Sequence, residues 1–424
     1  METNYIQIVT EQRQEIPEFL TIGWVEREQE PAININSKLV QVVTGVRRSG
    51  KSTLVHRALA GKPYAYANFD DERLAGISAD RLNDLLEALY SVYGDFSYLF
   101  LDEIQNVENW HLFVNRLLRN SIHVVLAGSN SKLLSRELAT HLTGRYSPVE
   151  LYPYSFREYL NARKSTREIE PTAKSYGLLI NQFNEYQQTG GLPEIVSGEP
   201  AEAYATNFLE AIITRDIIYR YGIRFVRTFR EIAKYLISNF GKEISYNRIK
   251  NQFGLGSENT AKNYVGYLEE AWLVLTLPKF SFKNQETLRY RKIYSIDTAF
   301  CQIAGNRFSI NSGRLLENIV FLELARNAKS EGYEVFFYKK NIEVDFLLYK
   351  DRQVIELIQV AETLTDPRTR KREIRALICA SQELSASNLT IITLNEQSEI
   401  EESGFNIKVK RVTTWLLDKR KVRT

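Results

Sequence analysis

The sequence has little cysteine: Cys301 and Cys379 are the only two in 424 residues. That is too few for a disulfide framework or for a paired C-x-x-C metal site, and it fits a reducing compartment. Long apolar runs are also missing, and none approaches the ~20 residues needed to cross a bilayer. The first residues, Met1-Glu-Thr-Asn-Tyr-Ile-Gln, lack the basic start and apolar core of a secretory leader. The expectation is a soluble, cytoplasmic protein with no membrane contact. No segment is of low complexity, and no period of about 20 to 50 residues is visible, so a repeat array is not expected. A large charge imbalance is absent too. The net charge is +3, so an anionic partner has to be met by local clustering rather than by the total.

What is present is a globular composition, with 44% hydrophobic and 25% charged residues. At ~150 residues per domain the length suggests two to four units. The most specific feature is Gly45-Val46-Arg47-Arg48-Ser49-Gly50-Lys51-Ser52-Thr53, which follows an apolar run (39–43) and precedes a helix-like one (54–59). It matches G-x-x-x-x-G-K-[ST], a phosphate cradle. The glycines let backbone N–H groups point inward, and the positive end of the following helix faces the same anion. In this reading Lys51 reaches the β- and γ-phosphates and the Ser52 hydroxyl holds Mg²⁺.

A nucleotide hydrolase needs acidic groups at the end of a neighbouring strand. The run Tyr98-Leu-Phe-Leu101 delivers Asp102 and Glu103 there, at the strand edge where α/β sheets bind ligands. Asp102 is expected to act through Mg²⁺ and Glu103 to polarise the attacking water. A third apolar strand (123–127) ends in Gly128-Ser129-Asn130. A small polar side chain there can bond the attacking water or γ-phosphate, or it can cap the next helix, and spacing alone does not choose. Arg145 follows a glycine at the end of this region. It suits a cation presented to a neighbouring subunit's nucleotide, and it suits a surface ion pair equally well.

From residue 38 to 150 the order strand, loop, helix, then alternating strands and helices implies βαβ units and a parallel sheet, with strands at 63–69, 98–101 and 123–127 and helices at 79–93 and 110–118. A helix is expected near 17–28. Taken together, the phosphate loop, Leu101-Asp-Glu-Ile-Gln, Ala127-Gly-Ser-Asn-Ser-Lys-Leu-Leu, Leu142-Thr-Gly-Arg-Tyr, Pro153-Tyr-Ser-Phe, Gly190-Gly-Leu-Pro-Glu, Thr214-Arg-Asp-Ile and Glu343-Val-Asp-Phe resemble the prokaryotic AAA+ ATPases that carry a restriction-endonuclease-like C-terminal domain. The resemblance covers nearly the whole chain. It implies ATP with Mg²⁺, an oligomeric ring or partial ring, Ser129 or Asn130 as the γ-phosphate sensor, and Arg145 as a trans-acting finger. The expected organisation is an AAA+ core with an N-terminal extension (1–152), a helical lid (153–226), a winged helix (227–291) and a nuclease-like α/β domain (292–424).

In the winged-helix stretch, a short helix (246–253) meets a Gly-Leu-Gly turn and Ser257 caps a longer helix. Ala261, Tyr264, Val265, Leu268 and Trp272 recur there at helical spacing. Asn259, Lys262 and Asn263 fall on the opposite side, the face a helix-turn-helix presents to the DNA major groove. Residues 226–292 hold twelve Lys or Arg against six Asp or Glu, which supports phosphate contact. Packing against protein is the competing use of such a module. A basic tail is expected at 408–424.

The order Glu317 on a helix, Asp345 in a strand and then a further apolar strand resembles the PD-(D/E)XK nucleases. That chemistry needs Glu-x-Lys on the last strand. Here Ile355-Glu356-Leu357-Ile358-Gln359-Val360-Ala361 puts Gln359 at the acid and Ala361 at the lysine. Shifting the register does not restore the pair, because the residue two places after Glu356 is Ile358 and two places after Glu362 is Leu364. The expectation is a retained fold without cleavage. Glu317 and Asp345 then fall back to structural roles, such as a helix cap or a pair with Arg314. The leading function is an oligomeric ATPase that binds and remodels or translocates DNA, branched or forked. The alternative is a regulatory ATP switch whose C-terminal half is a protein-binding scaffold.

Overall fold

The computed structural model describes residues 4–21, 23–130, 142, 144–165, 172–305 and 312–418. The chain divides into two compact units, with the break between Tyr154 and Ser155 and with Glu270–Trp272 grouped in the first.

The first unit is built on β1 (Val40–Gly45), β2 (Tyr64–Asn68), β3 (Tyr98–Asp102), β4 (His123–Gly128) and β5 (Tyr146–Leu151). All neighbours pair in parallel, in the order β2-β3-β4-β1-β5. Parallel strands covered on both faces must be apolar throughout, and β1 is buried at every position. Helices α1 (Tyr5–Thr21), α2 (Lys51–Ala58), α3 (Leu82–Tyr93) and α4 (Trp110–Arg119) cover them. Strand β5 carries Pro148, which an edge strand tolerates because one side of its backbone is unpaired. At the opposite edge Gln12 closes β2: its amide accepts from Asn68 N at 3.0 Å and donates to Asn68 O at 3.1 Å.

The N-terminal helix corrects the expectation of a helix at 17–28. It runs Tyr5–Thr21 and keeps Pro17 inside, because the burial of Ile8, Val9 and Gln12 sets its extent and one missing donor does not outweigh that packing.

The second unit opens with α5 (Phe156–Ala162), α6 (Ala173–Thr189) and α7 (Ala201–Ala211), which runs into a π-helical stretch, Ile212–Tyr219. After α8 (Val226–Ser238) come α9 (Tyr246–Gln252) and α10 (Glu258–Glu270). They lie beside a three-stranded antiparallel sheet of β6 (Lys242–Ile244), β8 (Arg291–Ser295) and β7 (Val274–Pro278). Ser257 Oγ accepts from Thr260 N at 3.1 Å, capping α10.

The C-terminal sheet has six strands in the order β13-β14-β12-β11-β10-β9. They are β9 (Glu334–Lys339), β10 (Glu343–Lys350), β11 (Gln353–Val360), β12 (Leu389–Thr393), β13 (Ser398–Glu402) and β14 (Phe405–Arg411), joined by α11 (Ser312–Glu331) and α12 (Pro367–Leu384). The β10–β11 hairpin turns on Asp351 and Arg352, both at positive φ (51° and 62°), as the tightest hairpins require. Part of the expected basic tail is regular secondary structure. Residues 405–411 form β14, paired on both sides, and Val412–Leu417 is helical; residues 419–424 lie outside the described residues.

Candidate functional site

The phosphate loop joins β1 to α2 within the first unit. Gly45 is demanded by close approach, since a Cβ there would sit 1.9 Å from the Leu151 carbonyl oxygen. Gly50 caps α2 in the left-handed region, φ 86°, and Arg48 shares that region at φ 59°. Residues Val46 to Ser49 make the bend between them. Arg47 is held outward by Asp70 at 2.8 Å, and Thr53 lies in the first turn of α2. Lys51 is only 5% exposed, and its ammonium donates to the Val46 and Gly45 carbonyls at 2.9 and 3.2 Å.

Opposite the loop, β3 delivers Asp102. Its Oδ2 accepts from Ser52 Oγ at 2.5 Å, which brings together the two oxygen groups that sequence spacing assigns to Mg²⁺. Burial, then the neighbouring Glu103, pushes the Asp102 carboxyl up to about 7, against Ser52 and Lys51. Glu103 turns the chain at φ 53°. Its carboxylate accepts from Ser129 N at 3.0 Å, from Ser129 Oγ at 3.2 Å and from the Gln105 amide. Ser129 therefore touches the expected base, while Asn130 is buried beside it at the end of β4. The other reading of Asn130, as the cap of a following helix, concerns residues 131–141, which lie outside the described residues. The hard oxygens of Ser52 and Asp102 suit Mg²⁺. Two buried hydroxyls at the loop, Thr44 Oγ1 and Ser49 Oγ, have no hydrogen-bond partner among the described residues, as a site that receives a polar ligand would leave them.

Arg145 is not in this constellation. It precedes β5, whose register sets Tyr146 beside Val40 and Leu151 beside Gly45. It therefore lies at the end of the sheet opposite the phosphate loop, on the order of 20 Å away at ~3.3 Å per residue. There it is exposed and bonds Asn115 Oδ1 at 3.2 Å. Sequence reasoning missed Arg27, 2% exposed, which donates to Ser49 O and Tyr152 O, both at 2.6 Å. It ties the phosphate loop to the segment leaving β5. No spacing rule points to it from the charged N-terminal stretch.

In the second unit, Asn259, Lys262 and Asn263 are exposed on α10, and Ala261, Tyr264, Val265 and Leu268 are buried. The Gly-Gly-Leu-Pro segment has a steric reason. A Cβ at Gly190 would stand 1.7 Å from Asp297 Oδ1, and Asp297 accepts from Gly191 N and Ala299 N, each at 2.8 Å.

The nuclease-like stretch brings a correction. Among the described residues Glu317 and Asp345 neither cap a helix nor pair with Arg314; both face Lys292 of β8. The Lys292 ammonium, 3% exposed, lies 2.8 Å from Glu343, 3.3 Å from Glu317 and 3.6 Å from Asp345. Burial opposes its charge, but Glu317, Asp345 and Glu343 outweigh that and hold its pKa above the ordinary lysine range. Burial, then Asp345, pushes Glu317 up to about 7. A lysine thus meets these acids, supplied from β8 and not from the strand that carries Gln359, and its ammonium is engaged by all three carboxylates. Gln359 is fully engaged: it accepts from Asp345 N at 2.8 Å and donates to Glu343 O and Glu373 Oε2 at 2.9 and 2.8 Å.

Sheet order, loop and acid pair define the first unit as a P-loop AAA+ core of parallel α/β build. In agreement, an AAA domain model matches residues 37–160, and a second model, a domain of unknown function (DUF8612), matches residues 180–309. The chain belongs to the same family as the uncharacterized protein MJ1544 of Methanocaldococcus jannaschii, 37% identical over 376 residues that cover 84% of this chain and 82% of that protein. An uncharacterized protein of Haemophilus influenzae is 30% identical over 344 residues, 77% of this chain and 83% of its own length. Among solved structures, a signal transduction ATPase with numerous domains from Pyrococcus horikoshii aligns over 72% of this chain and 46% of its own, with 15% identity and a TM-score of 0.28. Cdc6p from Pyrobaculum aerophilum aligns over 72% and 98%, with 11% identity and a TM-score of 0.28. No helix among the described residues is long and apolar enough to cross a membrane.

Proposed function

We propose that the chain binds and hydrolyses ATP with Mg²⁺ and couples the cycle to DNA, as an oligomer. The observation that carries the ATPase reading is the meeting of Ser52 and Asp102 at 2.5 Å beside Lys51, with Glu103 held by Ser129 one residue along. Bound Mg²⁺ would neutralise charge on the β- and γ-phosphate oxygens. The loop amides and Lys51 orient the triphosphate, and releasing Lys51 from the Val46 and Gly45 carbonyls frees its donors for phosphate. Glu103 accepts the proton of the attacking water, with Ser129 fixing the carboxylate's direction. Arg145, on the far side of the sheet, serves only a neighbouring subunit's nucleotide.

The DNA reading rests on α9, α10 and the β6-β8-β7 sheet as a winged helix whose exposed Asn259, Lys262 and Asn263 face the groove. A second basic surface, Arg314, Arg368, Lys371 and Arg375, lines the cleft beside the Lys292 cluster. These four side chains have no hydrogen bond or ion pair among the described residues, which suits a phosphodiester grip. With Lys292 among the carboxylates and Gln359 committed on both sides, we further propose that this domain holds DNA without cutting it.

The test is steady-state ATP hydrolysis with single-stranded, duplex, forked and four-way DNA beside a no-DNA control. Lys51→Ala should abolish nucleotide binding, and Glu103→Gln should retain binding but stall turnover. Absence of DNA binding at low salt would remove the DNA half of the proposal and favour a protein-binding scaffold.

A further inference from the structure

The end of the π-helical stretch, the turn at residues 222–225 and the start of α8 form one connecting loop segment, 219–227, reading Tyr-Arg-Tyr-Gly-Ile-Arg-Phe-Val-Arg, with three arginines and no carboxylate. Two of its aromatic rings face solvent: Tyr219 is 87% exposed and Phe225 70%. Rings that large are normally covered, and π-helical segments recur at functional sites. The loop is nonetheless anchored. Ile223 is buried, and its N–H donates to Ile218 O at 3.1 Å. The Tyr221 ring lies flat on Tyr267 of α10, centroids 3.9 Å apart and planes 10° from parallel. Behind it Tyr264 meets Phe229 of α8 edge-on at 5.0 Å. Exposure of Tyr219 and Phe225 is therefore built into an anchored loop.

The stack also fixes where the loop stands. Asn259, Asn263 and Tyr267 follow one another at i, i+4 spacing, so they form one stripe along α10. Tyr221 extends that stripe from the residues expected to face duplex DNA to the loop. Arg220 and Arg224 are exposed and form no hydrogen bond or ion pair among the described residues, and the described partner of Arg227 is the exposed Glu231 at 3.1 Å. Aromatic faces interleaved with available cations fit a polyanion whose rings are open to stacking. Within a duplex every base is already stacked, so the ligand must offer unpaired bases.

We propose that the loop 219–227 grips an unpaired DNA strand next to the duplex contacted by α10, with Tyr219 and Phe225 stacking on bases and Arg220 and Arg224 neutralising phosphates. The preferred ligand is then a junction between duplex and single strand. This rests on the DNA reading of α10 above.

Fluorescence anisotropy of the full chain tests it, with a labelled blunt duplex, the same duplex bearing a single-stranded thymidine arm, and the arm alone. The armed duplex should bind more tightly than the blunt one. Tyr219→Ala with Phe225→Ala should remove that gain, roughly tenfold or more, and leave blunt-duplex affinity unchanged. Tyr219→Phe with Phe225→Tyr should keep it. Arg220→Ala with Arg224→Ala should lower the salt dependence of armed-duplex binding by about one to two phosphates. Unchanged hydrogen exchange in α8 and α10, which belong to the same unit as the loop, reports that each variant is folded. Failure of every probe to bind at low salt sinks the DNA reading itself. Duplex binding that ignores the arm, or an arm gain untouched by the double alanine variant, overturns this inference and leaves the DNA reading standing. A double variant that changes oligomeric state while keeping the arm gain also overturns it, by making the rings a contact between copies.

Discussion

Removing the Lys292 ammonium is the sharpest perturbation of the second unit. Lys292→Met keeps most of the side-chain volume and leaves Glu317 and Asp345 without their cation, while Glu343 keeps Lys339 at 3.2 Å. Breaking a buried pair by deleting one partner costs ~3–5 kcal/mol. Glu343 is 38% exposed and partly solvated, so the expected loss lies near the low end, about 3 kcal/mol. The sign of its pH dependence follows from Glu317. Its folded pKa, about 7, already lies above the ordinary 4.5. An acid raised in this way binds its proton more tightly when folded, so its contribution is favourable at low pH and is lost as pH rises through the folded value. Without the ammonium that value rises further. The deficit of Lys292→Met should therefore be largest near pH ~8 and shrink toward pH ~5. Denaturant unfolding of the full chain, read by hydrogen exchange in β10 and β11 with β1 and β3 peptides as the reference from the other unit, measures it. A variant within ~1 kcal/mol of the parent at pH ~8, or a deficit that grows on acidification, would refute the reasoning. Adding Glu317→Gln to Lys292→Met removes one buried charge of each sign and should restore part of the loss.

Gly45→Ala places a Cβ 1.9 Å from the Leu151 carbonyl, so β1 and β5 must part; MgATP binding should be lost in a titration, and unchanged affinity would contradict that geometry. Gly190→Ala meets Asp297 at 1.7 Å with backbone at φ 78° and ψ −169°, and should lower the stability of the second unit by on the order of 4 kcal/mol through strain and displaced hydrogen bonds. Ser129→Ala removes one of the groups holding Glu103 and should slow turnover roughly tenfold at unchanged nucleotide affinity, measured as a kcat effect without a Kd effect. Arg145→Ala and Lys51→Ala chains, each impaired alone, should regain turnover when mixed, and no recovery at any mixing ratio would remove the trans role of Arg145.

The first site was legible because its chemistry is written in contiguous residues. Gly45 to Thr53 are constrained by one backbone bend, and Asp102 and Glu103 by the end of one strand, so spacing and hydrophobic pattern were enough to place them. Strand β5 escaped because Pro148 reads as a loop, and its pairing with β1 depends on being an edge strand. The extent of α1 escaped because Pro17 resembles a helix start, while the packing of Ile8 and Val9 that sets the true start is a tertiary fact. Arg27 reaches Ser49 and Tyr152, residues remote from it in sequence, and a lone arginine in a charged stretch carries no mark of that.

Lys292 shows the same limit in the second unit. A nuclease lysine would stand two residues beyond the acid position held by Gln359, where the chain has Ala361. The cluster is not local. Its ammonium comes from β8, a strand of the three-stranded sheet, while its carboxylates come from α11 and β10. One physical consequence follows from that arrangement. A charge network made by β8, α11 and β10 links the three-stranded sheet to the C-terminal domain, so a force applied to the helices beside β8 is opposed by buried ion pairs as well as by apolar contacts. Buried pairs tolerate little change in distance before their desolvation is uncompensated. Under the DNA function proposed above, the exposed face of α10 and the basic cleft beside Arg314 should therefore move as one body, and an engineered crosslink between β8 and β10 should leave any stimulation of hydrolysis by DNA intact.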